Sequence, residues 1–232
     1  RFIDHELDGS LEEDCGQCAN CIGPLLPTEV QDEGLAQTAV EHYRGESWDE
    51  ISPRYFMPKE NGRSKIKDQR KPEPGRVLSV YGDPGYGELV SRQHGQEDRY
   101  SQELVDAAVN HTETGWDTSP APTWVTAVTS PTNEGTVQDL ARRIADGLGL
   151  EYVYAVEKVR DIGPQHELAN SYQKRWNVEG AFMATEAVRT EPVLLVDDTV
   201  GSRWSFTEAS LMLRDVGCGP VFPFALAERN RW

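Results

Sequence analysis

Val193-Leu194-Leu195-Val196-Asp197-Asp198-Thr199-Val200-Gly201-Ser202-Arg203-Trp204-Ser205-Phe206-Thr207 is the stretch on which the reading of this chain turns. Four consecutive aliphatic residues, Val193 to Val196, show no polar alternation and read as a parallel strand buried on both faces. The acidic pair Asp197-Asp198 closes it, a short loop follows, and Phe206 to Val216 is an amphipathic stretch. A strand, a tight loop and a helix in that order turn the loop N–H groups and the helix N-terminus outward, where they can cradle a phosphate. Two carboxylates beside such a cradle suit sugar hydroxyls or a hydrated magnesium ion. The candidate loop residues are therefore Asp197, Asp198, Ser202, Arg203, Trp204 and Ser205. The serines can donate to a phosphate, Arg203 can clamp one through its guanidinium, and Trp204 can stack on a base. The alternatives are that Trp204 packs inside the domain and Arg203 pairs with a carboxylate.

Outward from this segment, strand and helix patterns alternate from Arg76 onward, which predicts an α/β domain with a mostly parallel sheet flanked by helices. Strands are expected at Arg76 to Tyr81, Glu88 to Ser91, Trp124 to Val128, Glu151 to Val156 and Val221 to Leu226. Helices are expected at Ser101 to His111 and at Thr136 to Leu148, the latter ended by Gly149, with a polar segment around a helix at Pro164 to Asn177. His94, His111 and His166 have no metal-ligand spacing and read as surface or satisfied side chains, and Cys218 reads as a small buried hydrophobe. There is no Gly-x-x-x-x-Gly-Lys-Ser/Thr phosphate loop, so the chain carries no ATPase motor of that type.

Three short runs precede the acidic strand: Leu140 to Ala145 with Leu148-Gly149-Leu150, Pro164 to Leu168, and Asn177 to Phe182. With Val193 to Thr207 they make residues 76–232 resemble ComF-type proteins, a phosphoribosyltransferase-fold group linked to DNA uptake. The resemblance implies a phosphoribosyl-pyrophosphate loop at 197–205. That family has a glycine where Arg203 stands and a small residue where Trp204 stands, so it also implies a loop that has lost transferase activity. A left-handed Arg203 would cost roughly 1–2 kcal/mol relative to glycine.

The net charge of -16 is unevenly spread. Residues 1–53 hold 13 acids and 2 bases, whereas residues 54–76 hold 8 bases and 3 acids. Such an acidic body excludes indiscriminate nucleic-acid binding but leaves a local basic strip, and Arg54, Lys59, Arg63, Lys65, Lys67, Arg70 and Lys71 are the candidate DNA contacts. The aromatics Tyr55 and Phe56 interleave with them, suiting either base stacking or an arm pinned to the domain. Residues 44–76 lack sustained periodicity and read as a linker or irregular arm. Before them, residues 28–43 read as a helix with Thr28 as N-cap and Gln31 as its capping-box partner.

Cys15, Cys18 and Cys21 recur at two-residue spacing, which favours thiolate ligation of zinc over disulfides. Three thiolates leave one position of a tetrahedral ion open. A ligand upstream of Arg1, His5 or the distant Cys218 can fill it. An iron–sulfur run would continue to a fourth cysteine and a proline, which Ile22 to Leu25 does not provide. With Arg1-Phe2-Ile3 and the acidic Asp8 to Asp14 stretch, the cluster resembles the zinc-binding module behind the motor domains of RecQ-family DNA helicases. That resemblance implies a first ligand on a helix just before Arg1, and a start at Arg1 rather than Met fits a piece of a longer polypeptide.

The expected organisation is a zinc-binding module at 1–26, a helix and basic arm at 27–75, and a phosphoribosyltransferase-like domain at 76–232. No apolar run reaches the roughly 20 residues a membrane span needs, and no basic and apolar leader opens the chain, so a cytoplasmic, nucleoid-associated bacterial protein is expected. The resemblances imply an accessory region of a RecQ-like helicase in DNA repair or recombination, with DNA as partner and zinc as cofactor. An active phosphoribosyltransferase or nucleotide-binding domain and a protein-interaction domain using the acidic surface are the alternatives.

Overall fold

A computed structural model describes residues 16, 19–23, 32–45, 49–128, 134–160, 168 and 170–229. The chain divides into two compact units, Arg1–Tyr43 and Arg44–Trp232. The smaller holds α1 (Ala19–Ile22) and most of α2 (Glu33–Gly45). Asp32 Oδ1 accepts the Leu35 N–H at 3.0 Å and so caps α2. The helix therefore begins later than its sequence pattern suggests, and the Thr28 and Gln31 capping box lies outside the described residues.

In chain order the larger unit contains β1 (Asp49–Ile51), β2 (Phe56–Lys59), β3 (Gly62–Lys65), β4 (Gly75–Val80), α3 (Tyr86–Gln93), α4 (Gln102–Thr114), β5 (Trp124–Ala127) and α5 (Glu134–Leu148). It continues with β6 (Glu151–Tyr152), β7 (Val156–Lys158), α6 (Ser171–Val178), β8 (Phe182–Ala184), β9 (Val193–Val200), α7 (Trp204–Asp215) and β10 (Val221–Glu228). Among the described residues, six strands form one sheet in the order β1-β4-β10-β9-β5-β6. Only β1 runs antiparallel to its neighbour in that sheet. Two antiparallel pairs, β2–β3 and β7–β8, stand apart from it.

The pleat of β9 sorts its aliphatic run into two layers. Leu194 and Val196 pack with Leu104 of α4 and Leu140 and Ile144 of α5, while Val193 and Leu195 pack with Val178 of α6 and Phe206 and Leu213 of α7. All four β9 residues have no exposed surface, and burying each contributes about 1.5–3 kcal/mol. Cys218 is buried as expected, and burial raises its thiol pKa to about 11. Among the described residues no helix is long and apolar enough to cross a membrane.

Three local expectations are corrected. Glu88 to Ser91 is part of helix α3, not a strand, because Tyr86, Leu89 and Val90 recur at helical spacing on one packed side. A Cβ on Gly87 would lie 1.9 Å from the Val80 carbonyl oxygen, so the helix approaches the end of β4 as only glycine allows. Glu151 to Val156 is broken, with β6 pairing in the main sheet and β7 pairing with β8. The described part of the segment read as a linker or irregular arm carries regular strands: β1 joins the sheet beside β4, and β2 and β3 form a hairpin across Glu60-Asn61. Gly62 takes φ 114° just after that turn. Asn61-Gly62 is the turn signal that marks this hairpin in the sequence.

His111 on α4 is fully buried beside Phe224. Burial, then the nearby Arg76 charge, pushes its pKa down to about 3. The unfolded chain binds this proton near pH 6.5 and the folded one only near 3, so the folded state loses stability as pH falls through that window. His111→Leu is expected to remove on the order of 3 kcal/mol of acid sensitivity. Urea unfolding of both proteins between pH 7 and 4 measures it, and parallel slopes would reject it.

Candidate ligand loop at the end of the central strand

The acidic pair lies inside a strand rather than at its end. β9 continues to Val200, with Asp197 opposite Ala225 and Thr199 opposite Ala227 on β10, whereas β5 stops opposite Val196. Asp197 is 9% exposed and Asp198 5%. Asp198 accepts the Tyr100 hydroxyl at 3.0 Å and lies 3.3 Å from His94 Nδ1, which is itself 3.1 Å from the Tyr100 oxygen. Asp197 Oδ1 accepts the Asp198 N–H at 2.9 Å.

These surroundings drive the two carboxyls apart. Burial, reinforced by the Asp198 charge, pushes Asp197 well above the usual carboxylate range. Burial also disfavours charge on Asp198, but the His94 contact and the Tyr100 hydrogen bond outweigh it and hold Asp198 below that range. Burial and the Asp198 charge raise Tyr100 in turn.

Beyond the strand, Arg203 adopts φ 65° and ψ 4° and caps α7 from the left-handed region. Its carbonyl accepts both the N–H and the hydroxyl of Thr207, at 3.0 and 2.9 Å. Its guanidinium donates to the Ser52 carbonyl at 3.2 Å, and its charge opposes the rise that burial gives the Glu228 carboxyl. Trp204 is 1% exposed and donates its indole N–H to Ser171 Oγ at 3.1 Å, which makes it a packing residue. Arg54 donates to the Ser202 carbonyl at 3.2 and 2.5 Å and covers the Trp204 ring at 4.6 Å. Burial, then the neighbouring Arg203 charge, lowers the Arg54 pKa. Arm and loop thus hold each other by reciprocal arginine-to-carbonyl contacts. Ser205 sits half-buried in the first turn of α7.

The basic strip divides between two roles. Arg54 serves the loop, Arg70 pairs with Asp215 of α7, and Lys71 pairs with Asp68 while lying 4.2 Å over the Tyr55 ring. Lys59, Arg63, Lys65 and Lys67 remain exposed on or just after the β2–β3 hairpin, with Arg63 4.5 Å over the Phe56 ring and Lys65 3.9 Å from Asp68. Cys21 lies on α1, whereas Cys15, Cys18 and His5 lie outside the described residues. Tyr100, His94, Ser171 and Ser52 complete the loop's surroundings. No spacing in the sequence announces them, because each meets its partner across a separation set by the sheet.

Beside α7 and away from the loop lies a cavity of about 320 Å³ lined by Met57, Arg175, Phe182, Glu208 and Met212 among others. Burial raises Glu208 to about 7, with Arg175 opposing it at 3.4 Å.

Trp204→Ala is expected to cost about 3–5 kcal/mol in chemical unfolding, as for a fully buried indole; a loss below about 1 kcal/mol would place the ring outside the core. The folded chain keeps a proton on Asp197 that the unfolded chain has released, so stability falls as pH rises above 3.8 through the folded value. Asp197→Asn should therefore flatten that fall, whereas Asp198→Asn should lower stability by about 1–3 kcal/mol by removing a charged acceptor. Equal effects of the two variants at pH 7 would contradict this division.

No protein-family description matches the chain, and no curated protein is similar to it in sequence. Among solved structures it is similar to the allosteric regulatory enzyme of purine biosynthesis, at 19% identity over 53% of this chain and 24% of that one, with TM-score 0.36. This chain therefore spans about a quarter of that enzyme's length. It is also similar to adenine phosphoribosyltransferases from Leishmania tarentolae (14% identity, 55% of this chain and 70% of that one, TM-score 0.35) and Leishmania donovani (13%, 84% and 80%, TM-score 0.37).

Proposed function

We propose that this chain is the accessory, nucleic-acid-binding region of a RecQ-like DNA helicase, with a phosphoribosyltransferase-like larger unit used for binding rather than transfer. The observation that carries the reading is the β2–β3 hairpin, which holds Lys59, Arg63, Lys65 and Lys67 exposed on a protein of net charge -16. A polyanion meets attraction there and repulsion elsewhere, which localises it and makes its affinity salt-dependent. The loop supports a binding role: left-handed Arg203 and buried Trp204 occupy the positions where a transferase loop needs small residues, and Arg54 ties that loop to the arm.

Cys15, Cys18 and Cys21 supply a donor set suited to zinc, which would contribute folding energy to a segment too small for a large core. Metal analysis of the full chain is expected to find one zinc that Cys18→Ala releases.

Replacing the four hairpin cations with alanine should weaken binding of a labelled oligonucleotide. The slope of log affinity against log salt should shrink by about 0.7 for each phosphate of a single strand that no longer meets a cation. An unchanged slope would overturn the hairpin's role. The second reading is a phosphate-bearing small ligand at the loop, favoured by the Arg54 and Arg203 guanidiniums beside the N-terminus of α7. Calorimetry with phosphoribosyl pyrophosphate is expected to show no saturable heat; saturable binding abolished by Asp197→Asn would establish that second reading instead.

A further inference from the structure

Trp176 is 62% exposed, and Tyr172 one turn earlier on α6 stacks against it with ring centres 6.2 Å apart and planes 21° from parallel. The helix that carries this pair is firmly anchored. Val178 is fully buried, Asn170 Oδ1 caps the first turn by accepting the Gln173 N–H at 2.9 Å, and Arg160 donates to the Asn177 and Glu179 carbonyls at 2.9 and 2.8 Å at the other end. A large aromatic surface is thus held in solvent on an anchored support, where its face is open to a partner.

The neighbouring element supplies the complementary chemistry. α6 packs beside β2, and Arg175 of that helix lines the same cavity as Met57, Ser64 and Lys65 of the hairpin. The hairpin also presents the exposed ring of Phe56 beneath Arg63. Exposed rings and exposed cations therefore stand on two adjoining elements.

We infer that α6 and the β2–β3 hairpin form one surface for single-stranded nucleic acid, in which bases stack on Trp176 and phosphates meet the hairpin cations. The inference rests on the nucleic-acid reading above and adds the strand state and the stacking residue. A duplex keeps its base faces inside the stack, so an exposed indole gains nothing from it; a single strand offers them freely.

The full chain is titrated into labelled oligodeoxythymidylate, into the same strand lacking bases, and into duplex, each over a salt series. Trp176→Ala should weaken binding to the thymidylate strand about five- to a hundredfold while leaving the salt slope unchanged, and Trp176→Phe should restore most of it. The baseless strand should bind the wild-type chain as weakly as the thymidylate strand binds the alanine variant, so the result does not depend on the variant alone. If the hairpin variant loses binding while Trp176→Ala and the baseless strand behave as wild type, the stacking surface is overturned and the nucleic-acid reading stands. If the wild-type chain binds none of the three nucleic acids, both fall. Preference for duplex would also overturn the inference.

Discussion

A strand buried on both faces has to place each successive side chain in a different layer, and β9 imposes this rule on everything attached to it. Its aliphatic run joins the two cores, and the strand carries on through Asp197 and Asp198, burying both carboxyls with it. One carboxyl meets Tyr100 and His94, while the other is buried against it and accepts the Asp198 N–H. Two adjacent acids in sequence become two unequal acids in the fold, one favoured neutral and one favoured ionised.

The loop that follows inherits its constraint from the same strand. Its path requires a left-handed residue just before α7, and arginine occupies that place. The strain, roughly 1–2 kcal/mol, is offset by contacts glycine could not make. The Arg203 guanidinium reaches the Ser52 carbonyl, and Arg54 answers by reaching the Ser202 carbonyl and covering Trp204. A buried indole bonded to Ser171 completes the arrangement and links the loop to α6. Loop, arm and α6 are thereby mechanically connected, so the hairpin and the aromatic pair of α6 both stand on elements tied to the same buried tryptophan.

The charge distribution is sorted by the fold as well. The seven cations of the strip look equivalent in sequence, yet three of them serve internal contacts and four stay exposed. Glu208 shows the converse on α7: a surface-type residue enclosed beside a cavity, where burial lifts its pKa to about 7 despite the neighbouring Arg175.

Much of the sheet is legible directly, because Val193 to Val196, bounded by an acidic pair and a loop, reads as a buried strand and the strand and helix alternation after Arg76 implies a parallel sheet. Short segments are less so. Glu88 to Ser91 lacks the length to separate a strand from a helical turn, and the hairpin at residues 56–65 is marked only by Asn61-Gly62. The candidate site follows the same division. Covalent neighbours along the chain, such as Asp197 with Asp198 and Ser202 with Arg203 and Trp204, are determined by the sequence, because local spacing is a property of the chain alone. The partners that give them their character, Tyr100 and His94 for Asp198 and Arg54 and Ser171 for Trp204, were decided only by tertiary structure, because packing the layers against the sheet brings together residues as much as 150 positions apart.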